Sequence, residues 1–362
     1  MKVLLVLGAR PEIIKLSSII RECERLGLDY SVLHTGQHYS YSMDKVFFEN
    51  LELQEAKYTL DTGSGSHGEQ TGKMLIGIEK VLEKEKPDVV LVEGDTNTVL
   101  ARALAASKLK IPVGHVEAGL RSYDQTMPEE VNRVLADHCS DYLFAPTEQS
   151  KKNLLSEGIP EKKIFVVGNT VVDAIYQNIE IANHKRNALN HLDLTAKNYF
   201  LVTVHRQENV DNKKRFSSIL DGLKKVKSEF EVPVVYPVHP RSRKQMEQFC
   251  LQSNTIRLID PVDFLSFLQL ESNAKLVLTD SGGVQEETCV FGVPCVTLRD
   301  NTERPETLEV GSNILAGTDS DKILECTKMM TAQRNSWKNP FGDGNTGRRI
   351  VEKLSNMQSF GT

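Results

Sequence analysis

Leu276-Val277-Leu278-Thr279-Asp280-Ser281-Gly282-Gly283-Val284-Gln285-Glu286-Glu287 is the stretch whose reading decides the fold. Residues 276–278 are apolar and rich in branched side chains, as a buried strand requires. A tight Ser-Gly-Gly turn follows, and then a helix-like segment that ends near Gly292. Glycine lets the backbone approach a ligand closely. The first free amides of a helix point at that ligand with the positive end of the dipole. Ser281, Gly282 and Gly283 are therefore candidate anion binders. Glu287, one turn into the helix, is placed to accept hydrogen bonds from ribose hydroxyls. Taken alone, the same residues also read as a strand-to-helix turn with an Asp or Ser cap. The spacing fits neither the P-loop nor the GxGxxG fingerprint, so ATP and NAD are not suggested, and the turn is read as a site for a diphosphate-bearing ligand.

Working outward, the same strand-turn-helix unit recurs along the chain. Residues 3–7 are a continuous apolar strand that stops at Gly8-Ala9-Arg10-Pro11. Ile13, Leu16, Ile20 and Cys23 then step by three and four, as one face of a helix does. Further strands are expected at 31–34, 89–92, 113–116, 142–145 and 164–167, with helices such as 73–85 and 97–109 between them. After the polar, weakly patterned segment 184–198, a second series runs 200–204, 234–236, 257–259, 276–278 and 295–298. This rhythm predicts two α/β domains, each a doubly wound parallel sheet covered on both faces. They span 1–168 and 169–344 and join near 169–198. The last stretch, 345–362, opens with a short helix.

Composition fits this plan. A chain of 362 residues, 40% hydrophobic and 26% charged, has enough apolar material for two ordinary cores. A net charge of −5 gives no footprint for nucleic acid or anionic membrane. No apolar run reaches the ~18 residues of a membrane span, and the first residues run straight into a strand instead of a signal peptide. The six cysteines are dispersed without a CxxC pair, which suits reduced thiols in a cytoplasmic protein and no metal site.

The polar residues concentrate where such sheets hold ligands, at the carboxyl ends of their strands. Asp95 and Glu117 follow strands of the first series, and Glu129 and Glu130 open a helix after Met127-Pro128. His205 and His239 end strands of the second series. Each alone has a structural explanation as a cap, a dipole partner or a turn residue. Together they place several acids and two histidines at one cleft, where crowded carboxylates favour general acid and base roles. Arg10, Lys15, Arg206 and Arg304 supply positive charge. For Arg304, a surface ion pair with Glu303 or Glu306 is an equal alternative. Because the acids and the anion turn come from different halves of the chain, the site is expected between the domains.

These motifs resemble one family. Gly8-Ala9-Arg10-Pro11-Glu12, Gly94-Asp95-Thr96, His115-Val116-Glu117-Ala118-Gly119-Leu120-Arg121 and Pro128-Glu129-Glu130-Val131-Asn132-Arg133 look like the non-hydrolysing UDP-N-acetylglucosamine 2-epimerases. So do Gly168-Asn169-Thr170, His205-Arg206, the stretch from Asp280 to Glu287, and Thr302-Glu303-Arg304-Pro305-Glu306. The resemblance implies the glycosyltransferase-B architecture, with the active site in the cleft and the 345–362 segment packing back on the first domain. It implies interconversion of UDP-N-acetylglucosamine and UDP-N-acetylmannosamine without a cofactor, by UDP elimination to 2-acetamidoglucal and re-addition. It gives proton transfer to Asp95, Glu117 and Glu129, and a place beside the leaving diphosphate to His205. Arg10, Lys15, Ser281, Gly282, Gly283 and Arg304 would hold phosphates or sugar, Glu287 the ribose, and Phe267 the uracil. A second, activating UDP-sugar site would involve Gln37, His38, Gln70, Glu130, Arg206 and His239. A homodimer serving cell-surface polysaccharide synthesis is expected. A UDP-2-acetamido-6-deoxy sugar, a hydrolysing epimerase and a glycosyltransferase with this fold stay open as alternatives.

Overall fold

The computed structural model describes residues 1–36, 41–63, 65–253 and 255–358. Seven strands form the first sheet: β1 (Lys2–Leu7), β2 (Asp29–His34), β3 (Tyr58–Thr59), β4 (Val89–Glu93), β5 (Val113–Val116), β6 (Tyr142–Ala145) and β7 (Ile164–Val166). Their order is β3-β2-β1-β4-β5-β6-β7. Six more form the second: β8 (Phe200–Thr203), β9 (Val234–Pro237), β10 (Arg257–Ile259), β11 (Leu276–Thr279), β12 (Cys295–Thr297) and β13 (Asn313–Leu315). Their order is β10-β9-β8-β11-β12-β13. Every described pairing is parallel, with registers such as Val3↔Val89 and Thr203↔Thr279.

The central strands are buried on both faces, which is why they read as unbroken apolar runs instead of alternating ones. All but the first residue of β1, the whole of β4 and the whole of β11 are buried. Two strands were not expected from sequence. β3 has two residues and β13 has three, too few for any periodicity to show.

The chain divides into two compact units, Met1–Gln177 with the segment from Phe341 onward, and Asn178–Pro340. The first boundary falls later than the expected 168, and the second earlier than 344. The reason is local. Gly168 takes φ +97, and the Asn169 N–H donates to the Phe341 carbonyl oxygen at 2.7 Å. The Asp173 carboxylate accepts the Gly347 N–H at 2.9 Å. The first two turns of the Thr170–Lys185 helix are thereby fastened to the first unit. The final helix, Thr346–Gln358, packs on the Arg10–Arg25 helix. Gly347 lies so close there that a Cβ would stand 2.9 Å from the Ser18 carbonyl carbon.

Candidate active site

Each sheet reverses its strand order once, between β1 and β4 in the first unit and between β8 and β11 in the second. Loops leaving such a pair of strands diverge and open a crevice at their carboxyl ends. Most of the expected site residues stand at these two points or on the strand and helix ends beside them.

In the first unit, Gly8 ends β1 under close constraint, since a Cβ would lie 2.3 Å from both Thr35 Oγ1 and Thr98 Oγ1. Glu12 closes the helix that follows. Its carboxylate accepts the Gly8 N–H at 2.7 Å, the Thr96 hydroxyl at 2.6 Å and Arg102 at 3.3 Å. Glu12 thus places a negative charge at the positive end of this helix, whose amides have no side-chain cap. The Arg10 guanidinium lies 5.0 Å from the Phe47 ring centroid, in cation–π contact.

Lys15 extends from the same helix, with Nζ 2.5 Å from Glu117 Oε1 and 3.4 Å from Glu93 Oε1. Glu117 is buried and takes φ +66, a left-handed conformation that a side chain adopts only when its surroundings enforce it. Glu93, the last residue of β4, is 1% exposed. Burial, opposed by Lys15 and reinforced by Glu117 and Glu12, pushes its carboxyl well above the usual carboxylate range.

Asp95 is part-exposed and paired with Arg133 at 2.5 Å, and its carbonyl accepts Asn132 Nδ2 at 3.0 Å. Behind it, His115 spans 2.9 Å to the Gly94 carbonyl and 2.7 Å to Asp137. Asp137 also binds Arg121 at 2.7 Å. Although Asp137 is buried, His115 and Arg121 together hold its carboxyl below the usual range. Glu129 stands exposed in the first turn of the Pro128–Cys139 helix. Glu130 beside it is buried, and its carboxylate accepts the Ser122 and Tyr123 N–H groups and Arg133. Gln70 ties the Gly63 carbonyl at 2.9 Å. Gln37 and His38 lie outside the described residues.

In the second unit, Thr279 and Thr203 pair in register and their hydroxyls meet at 2.5 Å. Asp280 is fully buried and organises the next turn. Its carboxylate accepts the His205 N–H at 3.1 Å, the Arg206 N–H at 3.0 Å and Asn209 Nδ2 at 3.1 Å. The His205 ring is 41% exposed, 3.4 Å from Asp280 through Nδ1. It lies 5.7 Å from the His239 ring, centroid to centroid. Burial, His205 and Arg241 all keep His239 below the usual imidazole range, against the pull of Asp280. His239 Nδ1 accepts the Arg241 N–H at 3.2 Å and so caps the helix Pro240–Gln248.

Ser281 caps the Gly282–Phe291 helix without a side-chain cap bond, and that helix carries no acid in its first turn. Neither switch-point helix has a side-chain cap bond, but the helix after β1 carries Glu12 in its first turn and the helix after β11 carries no acid there, which leaves its positive end open to an anion. A Cβ on Gly282 would stand 2.3 Å from Glu303 Oε1, while one on Gly283 would meet open space. Glu303 pairs with Arg299 at 2.9 Å and with Arg206 at 3.4 Å. Burial opposes its ionisation, but Arg304, Arg299 and Arg206 outweigh that and hold the carboxyl down at about 2.

Arg304 is buried, with Nε 2.7 Å from Glu286. The pair with Glu286 is therefore a buried one, and the same guanidinium helps to hold Glu303 ionised. Phe267 lies on the Phe264–Ser272 helix, half-buried against the cluster that includes Val284. Glu271 on that helix is fully buried, and burial together with Glu287 raises its carboxyl well above the usual range.

The family model described as UDP-N-acetylglucosamine 2-epimerase matches residues 21–355. The chain belongs to the UDP-N-acetylglucosamine 2-epimerase family. It is 58% identical to the UDP-N-acetylglucosamine 2-epimerase of Methanocaldococcus jannaschii, over 98% of this chain and 99% of that protein. A crystal structure of the M. jannaschii UDP-GlcNAc 2-epimerase in complex with UDP-GlcNAc and UDP is 57% identical. It matches with TM-score 0.92, covering 98% of this chain and 100% of that one. A UDP-2,3-diacetamido-2,3-dideoxy-D-glucuronate 2-epimerase of Pseudomonas aeruginosa is 42% identical over 99% of this chain and 100% of that protein. Sequence reading of this epimerase passed over Glu93, Asp280 as an acceptor, the His115–Asp137 pair and Glu271. A single glutamate closing an otherwise apolar strand was the available signal for Glu93.

Proposed function

We propose that this epimerase interconverts UDP-N-acetylglucosamine and UDP-N-acetylmannosamine by elimination and re-addition of UDP. A carboxylate removes the C2 proton while the C1–oxygen bond breaks, and UDP leaves with the bonding pair to give 2-acetamidoglucal. Protonation of C2 from the opposite face and return of UDP to C1 complete the inversion. The observation that carries the reading is the pairing of Glu117 with Lys15 and of Asp95 with Arg133 on the strand ends beside a strand-order reversal. A weakly acidic C–H needs positioned bases and the departing diphosphate needs preorganised positive charge. In this reading Asp95, Glu117 and Glu129 move protons. The Ser281-Gly282-Gly283 turn receives the diphosphate with His205, Arg10 and Arg304, and Glu287 with Phe267 holds the uridine. Gln70, Glu130, Arg206 and His239 are assigned to a second UDP-sugar, as are Gln37 and His38.

Among the described residues no helix is long and apolar enough to cross a membrane. Free thiols at all six cysteines support a cytoplasmic enzyme. Proton NMR of the protein with UDP-N-acetylglucosamine in D2O tests the chemistry. Two UDP-sugars carrying deuterium at C2 are the expected outcome. Retention of protium at C2 would refute proton abstraction, and accumulation of free sugar would replace this reading with a hydrolysing epimerase.

A further inference from the structure

The buried cluster behind Glu117 holds three carboxyl groups, Glu12, Glu93 and Glu117, and two cations, Lys15 and Arg102. With every acid ionised it would carry a net negative charge in a region closed to water, where uncompensated charge is strongly disfavoured. One carboxyl must hold a proton, and the hydrogen bonds decide which. Glu12 receives a backbone N–H, a hydroxyl and a guanidinium, all donors to a carboxylate. Glu117 receives Lys15 at 2.5 Å. Glu93 has no donor of that kind. Lys15 is 3.4 Å away, and Glu93 Oε1 makes no hydrogen bond. The two carboxyls converge on one ammonium, with Lys15 Nζ 3.4 Å from Glu93 Oε1 and 2.5 Å from Glu117 Oε1.

We propose that Glu93 is a positioning residue for Glu117: from the end of β4 it donates its carboxyl proton in a hydrogen bond to Glu117. Together with Lys15 it fixes where that carboxylate points. The left-handed backbone of Glu117 supplies the complementary restraint, setting the direction in which the side chain leaves the chain. Glu93 therefore acts through Glu117 and does not touch substrate. The charged groups facing it are Lys15 and Glu12 from the Arg10–Arg25 helix, Glu117 from the end of β5 and Arg102 from the Asn97–Lys108 helix.

The kinetic arm of the test rests on the epimerisation reading, and the spectroscopic arm stands without it. Glu93→Leu removes the donor, and Glu93→Gln keeps a neutral donor of the same reach. In Glu93→Leu, kcat is expected to fall about tenfold with KM changed less than about threefold, the scale of one hydrogen bond to a charged group. The acid limb of the kcat profile should move to higher pH, because Glu117 loses a donor that favours its ionised form. Glu93→Gln should restore most of kcat and return the limb to its wild-type position. A limb displaced to lower pH in Glu93→Gln would mean that Glu93 was an anion repelling Glu117, and would overturn the proposal. So would equal losses in both variants with an unmoved profile. Infrared difference spectra of wild type against Glu93→Gln should show the C=O stretch of a protonated carboxyl near neutral pH. Its absence overturns the assignment whether or not the protein turns over this substrate, and even where Glu93→Leu fails to fold.

Discussion

Replacing Asp280 by asparagine tests the hub of the second unit's turn. The carboxylate is fully buried and takes hydrogen bonds from three groups, the His205 N–H, the Arg206 N–H and Asn209 Nδ2. A hydrogen bond to a charged acceptor is worth about 1.5–3 kcal/mol and a neutral one about 0.5–1.5 kcal/mol, so discharging the acceptor costs about 1 kcal/mol per donor. Three donors make the expected loss about 3 kcal/mol. In a unit of the size of Asn178–Pro340, that corresponds to a fall of about 6–12 °C in the melting temperature of that unit. Circular dichroism melts and urea titrations of the full chain measure it. UDP binding by calorimetry should weaken in parallel, since His205 and Arg206 lose their backbone anchor. An Asp280→Asn protein melting within about 2 °C of wild type would refute the argument that this carboxylate is ionised and organises the turn.

Three further outcomes are expected. Glu303, held at about 2 by its arginines, has a folded-state value below its unfolded one. It therefore contributes on the order of 3 kcal/mol above about pH 4.5, lost as pH falls toward 2. Urea midpoints of wild type and Glu303→Gln should converge on acidification, and a constant gap would contradict the pairing. Gly282→Ala must displace the Glu303 carboxylate from Arg206 and Arg299, since no room exists for a Cβ. UDP affinity should fall at least about tenfold by calorimetry. Glu117→Gln should keep UDP affinity within about threefold and lose turnover by about a hundredfold or more, the scale of a positioned acid or base. Near-wild-type turnover in an NMR assay would remove Glu117 from proton transfer.

Much of the fold was legible because strands such as β1, β4 and β11 are buried on both faces and have to be written as apolar runs. Short edge strands carry no such signature, so β3 and β13 escaped. The domain boundary escaped because the helix from Thr170 is continuous across it, and only its bonds to Phe341 and Gly347 reveal which unit owns its start. Strand-end residues such as Asp95, Glu117 and His205 could be named from their position after apolar runs. Their partners could not, since sequence does not show that Lys15 reaches two glutamates or that Arg304 turns to Glu286. The burial of Glu93 and Glu271 beside other carboxyls is hidden for a related reason. An acid in an apolar context looks like a surface residue until the neighbouring carboxyl is located.

The first unit is interrupted between Gln177 and Phe341, and its last helix lies on its first. A chain leaving the ribosome therefore presents β1 to β7 while the helix that covers the Arg10–Arg25 face has yet to be made. The intervening unit, whose residues are contiguous, is complete before that helix emerges. Synthesis order thus favours the second unit as the earlier to close. Truncation within the Thr346–Gln358 helix would then damage the half of the molecule that was made first.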